Sequence, residues 1–342
     1  MPKLLSDRGP EHQPILWSPP KREGAKLVRA IVTTLALALL IAPLTVAVTG
    51  LSGSGHRWPD ILTQFTAPAL VITAAFALML GLFRLKTAFV ASVVVVLTLL
   101  AAVWPQWGAD RGKPQAGAPI LTLYSANLLH KNNDVAAVRA SIVEAKPDVI
   151  VLIEASRSVF TARDMVLAGY PHRRVTPDLL RGGTNGTIIA SRYPLTPRPV
   201  RVRGFDYALA VVDTPLGRIN VVGVHLTRPW PYQIQWEQIR QARALATLTS
   251  GLTGPTLVAG DFNSISNGRI GRQIQSETGL KPNPGWPGTW PAQIPAFLGF
   301  TIDQVYRTRD LAVVSRRVGL GTGSDHRPVV TRLTLAQPRS ES

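Results

Sequence analysis

Thr256–Ser264 reads TLVAGDFNS, a short apolar run closed by Gly260 and followed by Asp261 and Asn263 on either side of an aromatic residue. An apolar run of this length, ended by glycine and two turn-forming polar residues, predicts a buried strand over Thr256–Gly260 that delivers a carboxylate and an amide at its end. The same phrasing recurs outward along the chain. Strands are expected at Ile120–Asn127, Asp148–Ile153, Thr187–Ser191, Ala208–Val212, Ile219–His225, Thr301–Tyr306, Leu311–Val314 and Val329–Leu335. Val135, Val138 and Ile142 recur at helical spacing behind Asn133 or Asp134 and predict a helix over Asn133–Ala145. Ile234, Ile239, Ala242, Leu245 and Leu248 predict another over Tyr232–Ser250. Strands outnumber helices, and each sheet must bury its apolar face on something. The expected fold class is therefore α+β, two packed and mostly antiparallel sheets with helices on their outer faces.

Upstream the composition changes. Ala30–Leu51, Ile61–Phe83 and Thr87–Trp104 are apolar spans of 22, 23 and 18 residues, long enough to cross a bilayer, so three transmembrane helices are expected ahead of the sandwich. Lys3, Arg8, Lys21, Arg22, Lys26 and Arg29 precede the first span, and Arg84 and Lys86 lie between the second and third. The opposite side carries only Arg57, Arg111 and Lys113. This asymmetry puts residues 1–29 in the cytoplasm as a basic tail, and an odd number of spans puts everything after Trp104 outside it. A multi-pass protein of the cell (inner) membrane, with its large domain on the extracytoplasmic side, is expected. Pro105–Pro119, PQWGADRGKPQAGAP, reads as a moderately stiff linker, residues 120–336 as the globular domain and 337–342 as a tail. The chain has no cysteine, which excludes thiol catalysis, iron–sulfur ligation and Cys-based zinc sites. From Pro105 onward 28 Lys or Arg face 16 Asp or Glu, an excess that draws phosphate-bearing partners.

Residues with catalytic potential fall where the strands end, in positions from which loops present side chains on a rigid scaffold. They are Asn127 in YSANLL, Glu154 in VIVLIEAS, His225 in VVGVHL, Asp261 and Asn263 in GDFN, Asp303 in TIDQVY, and Asp325 with His326 in GSDH. Carboxylates and an amide suit a hard cation such as Mg²⁺ or Mn²⁺ better than zinc. Each residue alone also has an ordinary reading as a turn, cap or solvated strand end. Gly319, Gly321 and Gly323 form a loose glycine run that reads as a flexible turn, not a dinucleotide loop.

Taken in order, YSAN, VLIEAS, NGTIIASRYPL, VVGVHL, VAGDFNS, TIDQVY and GSDHRPV resemble the endonuclease/exonuclease/phosphatase superfamily with its deoxyribonuclease-I-like fold, from about Leu121 to Leu335. Ile153 and Ala126 depart from common family residues without removing a catalytic group. The resemblance implies a four-layered α/β sandwich and metal-dependent hydrolysis of phosphate esters. It implies that Glu154 is the principal Mg²⁺ or Mn²⁺ ligand, with Asn127 and Asp325 near the ion or its waters. It further implies that Asp261 orients or deprotonates the attacking water and that Asn263 helps to hold the phosphate. His326 would contact the scissile phosphate, Asp303 would fix its tautomer, and His225 would protonate the leaving group or bind phosphate.

The loop Pro282–Phe300, PNPGWPGTWPAQIPAFLGF, directly precedes Asp303, so Phe300, Trp290 and Trp286 are candidate substrate contacts that could stack on a base or grip a lipid; Trp230 and Trp236 could act similarly. The expected function is a membrane-anchored phosphodiesterase of nuclease type, with a phospholipid or sphingolipid phosphodiesterase or phosphatase and an inactive binding module as alternatives. The expected partners are the lipid bilayer and a phosphate-ester substrate, nucleic acid or phospholipid, with no obligate protein partner. For topology, a reporter fused after Ser342 that works only outside the cytoplasm is expected to be active, and activity confined to a cytoplasm-specific reporter contradicts the assignment.

Overall fold

A computed structural model describes residues 21–184, 186–198, 202–229 and 235–338. Trp230, Asn185 of the NGTIIASRYPL motif, the start of the Tyr232–Ser250 helix, the first 20 residues and residues 339–342 of the expected tail lie outside them.

Five helices come first: α1 (Lys21–Leu39), α2 (Ile41–Ser52), α3 (Arg57–Thr63), α4 (Thr66–Leu82) and α5 (Lys86–Trp107). The rest of the chain runs β1 (Leu121–Asn127), α6 (Val135–Ala145), β2 (Val149–Ile153), α7 (Arg157–Thr161), α8 (Arg163–Val166), β3 (His172–Val175), α9 (Pro177–Leu180), β4 (Ile188–Ser191), β5 (Leu195–Pro197), β6 (Asp206–Thr214) and β7 (Gly217–His225). It ends with α10 (Gln235–Ser250), β8 (Thr256–Asp261), α11 (Arg269–Thr278), β9 (Lys281–Pro282), β10 (Asp303–Arg307), β11 (Leu311–Val318) and β12 (Val329–Leu335).

The strands form two six-stranded sheets, ordered β11-β12-β1-β2-β4-β3 and β5-β6-β7-β8-β10-β9. Among the described strands, only β1–β2 and β7–β8 run parallel, each pair joined by a crossover through α6 or α10. The inner faces meet through Leu123, Val151 and Ile153 of one sheet and Ala210, Val221, Leu257 and Val305 of the other. Outside the first sheet, Val138 and Ile142 of α6 pack on Tyr124 and Leu152. Outside the second, Ala242 and Leu245 of α10 and Ile270 and Ile274 of α11 pack on Val222 and Val258. The result is the expected helix, sheet, sheet, helix layering.

All nine expected strands are present. The three unanticipated ones, β3, β5 and β9, are edge strands of two to four residues carrying Arg, Lys or Pro, so they lack the apolar alternation of a buried strand. α6 is capped by Asp134, whose side chain accepts from the Ala137 amide at 2.9 Å.

The apolar helices depart from the expected pattern. Glu23–Ser52 and Lys86–Trp107 are each long and apolar enough to cross a membrane. The expected middle span is instead α3 and α4, bent by 53°, and it counts as a third crossing only if the bent pair is one span. The bend has a local cause. His56 caps α3 at its start through its imidazole, and α3 ends after two turns at Gln64 before α4 restarts. Pro105–Pro119 is not a free linker either. Pro105–Trp107 complete α5, and the following backbone is pinned along the first sheet by Val313 N to Arg111 O at 2.7 Å, Gln337 N to Lys113 O at 2.8 Å and Gln115 N to Leu335 O at 2.9 Å. A Pro/Gly-rich stretch whose peptide groups find partners on a sheet is ordered by them.

The helices dock on the sandwich through polar contacts. Asp60, buried in α3, accepts from the Arg269 amide at the start of α11 at 2.5 Å and from the Gln235 side chain. Asn267 donates to Ala102 O of α5 at 2.8 Å, and Gly285 N donates to Gln106 O at 2.9 Å. Asp60→Ala strands these donors in a buried place and is expected to lower stability by about 1–3 kcal/mol, with Asp60→Asn milder, as read from unfolding of the detergent-solubilised chain. Equal midpoints for Asp60→Ala and the parent contradict this docking.

Candidate active site

The registers bring the polar strand ends to one end of the sandwich. β7 and β8 pair in parallel with His225 opposite Asp261, and β8 pairs antiparallel with β10 so that Asp261 also faces Asp303. In the other sheet β1 ends on Asn127 beside Ile153, and Glu154 follows directly. Asp325 and His326 precede β12, antiparallel to β1, and so arrive at the same end.

Glycine makes room for Asp261. A Cβ on Gly260 would sit 1.9 Å from the Val224 carbonyl oxygen, and its φ of +149° is one that other residues rarely adopt. Glu154 and Asn263 also hold positive φ, at 50° and 48°, as does Leu129 at 58°. Such backbone costs of order 1–3 kcal/mol per residue, and here three such residues gather at one site.

The centre of the cluster is the Asp261 carboxylate, which is buried. Its Oδ2 accepts from Asn127 Nδ2 at 3.0 Å and lies 3.9 Å from both His225 Nε2 and His326 Nε2. Asn127 Nδ2 also donates to Glu154 Oε1 at 3.0 Å, while its Oδ1 accepts from the Leu129 amide at 2.9 Å. Asn127 therefore turns an amide nitrogen toward the carboxylates, and nitrogen of this kind is no cation ligand. Glu154 Oε2 accepts from the His130 amide at 3.1 Å and lies 3.0 Å from His130 Nδ1. His225 Nε2 is 3.5 Å from Glu154 Oε1.

Buried deeper, His326 Nδ1 lies 2.9 Å from Asp303 Oδ2, which directs Nε2 toward Asp261. Asp325 accepts from the Trp290 indole at 3.0 Å, and its other oxygen lies 4.0 Å from His326 Nε2 with no hydrogen-bond partner among the described residues. Asn263 turns inward, its side-chain amide donating to Leu226 O at 2.8 Å and its backbone N–H to Asp261 Oδ1 at 2.8 Å. Trp290 stacks at a tilt on Phe300, 5.8 Å between centroids, and Trp286 lies apart against Trp107 at 6.0 Å. Trp236 is exposed.

Burial by itself raises the Glu154 carboxyl, but the His225 charge and hydrogen bonds from Asn127 and His130 hold it down at about 2, ionised throughout the neutral range. Asp261 moves the other way. Burial and the Asp303 charge raise it, against opposing pulls from the two histidines. For His326 burial disfavours the charge, yet the charge and hydrogen bond of Asp303, with Asp261, push it up to about 10.

Among the described residues, two groupings bring ligand atoms within 4.8 Å of one another: Glu154, His225 and Asp261, and Asp261, Asp303 and His326. An ionised Glu154 beside two more donors, and an unpartnered Asp325 oxygen, fit a divalent cation. Sequence reasoning missed His130 and Arg228, whose guanidinium lies 5.4 Å over the Trp290 ring. His130 was discoverable from its place three residues past Asn127, whereas Arg228 lies in a loop without a motif.

The Endonuclease/Exonuclease/phosphatase family model matches residues 124–326, well over half of the chain. This chain belongs to that family. Members of the endonuclease/exonuclease/phosphatase family are hydrolases acting on phosphoester bonds. No curated protein sequence matches the chain significantly. Among solved structures, a family protein from Bacteroides thetaiotaomicron is similar at 16% identity and a TM-score of 0.52, covering 64% of this chain and 99% of its own. TDP2 of D. rerio, humanized by 14 mutations, is similar at 14% identity and 0.50, covering 63% and 99%. A functionally unknown conserved protein from Enterococcus faecalis V583 gives 14% and 0.50, covering 63% and 100%. At these identities the likeness speaks for the fold alone.

The His326 shift has a testable sign. A histidine titrating near 6.5 when unfolded and near 10 when folded contributes stability that is complete below about pH 6.5 and is lost as pH rises toward 10. In chelator, the midpoint difference between the parent and His326→Gln is expected to be largest near pH 6 and to shrink steadily above it. A difference independent of pH over that range contradicts a charged His326–Asp303 pair.

Proposed function

We propose that the protein is a membrane-anchored, Mg²⁺- or Mn²⁺-dependent hydrolase of phosphate esters, with its catalytic domain outside the cytoplasm. One observation carries the reading: an ionised carboxylate, a buried carboxylate and two histidines converge at one end of the sandwich around the Asp261 oxygen. That constellation matches what ester hydrolysis at phosphorus demands. Charge on the phosphoryl oxygens must be neutralised, a water must be aligned opposite the leaving oxygen, and that oxygen must receive a proton.

Glu154, held ionised, would hold the cation directly, and Asp325 would share the ion's waters through its unpartnered oxygen. The cation would neutralise the phosphoryl oxygens. Asn127 positions Glu154 and Asp261 through its amide and is not itself a ligand. Asp261 accepts a proton from the attacking water as oxygen bonds to phosphorus. His326, kept charged by Asp303, donates a hydrogen bond from Nε2 to a phosphoryl oxygen. As the ester P–O bond breaks, His225, at the more open side of the site, protonates the leaving oxygen. Asn263 fixes Asp261 instead of touching phosphate, because its amide is already committed to Leu226 and Asp261.

The membrane placement rests on helix direction as well as charge. Arg29 donates to the Arg84 carbonyl, so the basic ends of the first and last apolar helices lie together, while Trp107 at the other end of α5 meets the catalytic domain. That is the arrangement expected if the basic end faces the cytoplasm.

The purified full chain, assayed on bis(p-nitrophenyl) phosphate, is expected to lose activity in EDTA and regain it with Mg²⁺ or Mn²⁺. Asp261→Asn, Glu154→Gln and His326→Ala are each expected to lower the rate on the order of 10²-fold or more. Full turnover in chelator, or in Asp261→Asn, contradicts the proposal.

A further inference from the structure

Between α2 and α4 the apolar helices leave an open groove of about 530 Å³ whose lining includes Leu40, Pro43, Ala69, Ile72 and Phe65. Both helix breaks, at Leu40 and at Gln64–Phe65, border it. Thr73 is its one polar lining residue. A groove on spans that cross hydrocarbon is open to acyl chains and closed to hydrated polyanions.

This groove runs on toward the site. Phe65 at its upper rim meets Phe300 edge-on at 5.1 Å, Phe300 meets Trp290 at 5.8 Å, and Trp290 lies 6.5 Å from the His326 ring and donates to Asp325. The short turn Ala296–Leu298 packs on α4, leaving Phe297 and Ile294 exposed beside it. A chain of ring contacts thus joins the apolar groove to the proposed catalytic histidine, and the Arg228 guanidinium stands 5.4 Å over the Trp290 ring at its inner end.

We infer that the groove is a tail-binding site and that its occupant is a diacyl phospholipid of the bilayer. One acyl chain lies in the groove and along Phe65, Phe300 and Trp290, so that the head-group phosphate ester reaches Asp261 and His326. The inference rests on the hydrolase reading above and adds the substrate class. Because surrounding lipid is as apolar as the groove, the groove acts by orienting the ester and not by drawing lipid out of water. The hydrolysis balances as water plus phosphodiester giving an alcohol and a phosphate monoester.

The test uses the full chain in vesicles of phosphatidylethanolamine and phosphatidylglycerol, with glycerophosphoethanolamine as the tail-less head group and bis(p-nitrophenyl) phosphate as a soluble ester. The parent is expected to favour the lipid over the tail-less compound by at least about tenfold in kcat/KM. Ala69→Trp, which fills the groove, and Ala42→Trp on its exposed border are expected to cut lipid turnover about tenfold and to leave the soluble ester unchanged. Lipid turnover unchanged in both variants, equal rates for lipid and tail-less head group, or preferential cleavage of DNA or RNA oligonucleotides overturns the tail site while leaving the hydrolase reading intact. No turnover of any ester by the parent overturns the hydrolase reading itself.

Discussion

The site depends on one amide. Asn127, at the end of a strand in one sheet, donates from a single nitrogen to Glu154 in its own sheet and to Asp261 in the other, 3.0 Å to each. Two carboxylates that would repel are thereby held together across the seam between sheets, and Leu129 fixes which face of the amide they see. A donor buried between two charged acceptors has no equivalent from water, and charge-assisted hydrogen bonds are roughly twice as strong as neutral ones. The divergent ionisation of the two carboxyls follows. Glu154 gains histidines and donors at the rim, whereas Asp261 sits on the floor beside Asp303. One is fit to hold a cation and the other to accept a proton.

The apolar helices are part of this architecture and not a distant anchor. Asp60 satisfies the start of α11, Asn267 reaches α5, and Phe65 joins the aromatic rim, so the orientation of the site relative to the spans is set by buried polar contacts. If the apolar helices cross a bilayer as proposed, the domain docked on them holds its cleft at a fixed angle to it, a geometry that favours substrates delivered from the membrane plane.

Much of this was legible in the residues. The nine expected strands announced themselves, eight as the unbroken apolar runs of central strands and the edge strand β11 through its buried apolar start Leu311–Val313. Edge strands such as β5 and β9 did not, since their exposure and proline content remove the signal. All eight strand-end polar residues reached the same end of the fold, because β1–β2 and β7–β8 end there in parallel and the antiparallel β10 and β12 begin there. What sequence could not convey is direction within a side chain. Asn127 reads as an oxygen donor yet presents nitrogen, and Asn263 reads as a phosphate contact yet turns inward. The pinned Pro105–Pro119 segment and the bent α3–α4 pair escaped for a related reason, as both are set by tertiary partners and not by local pattern.

The central claim is that Glu154 holds a divalent cation beside the proton-accepting Asp261. Crystals of the full chain soaked in Mn²⁺ and measured at the manganese absorption edge test it directly. The account predicts one dominant anomalous peak, bonded to the Glu154 carboxylate and adjacent to Asp261. A peak at any other cluster, or none at a saturating concentration of the ion, would contradict it.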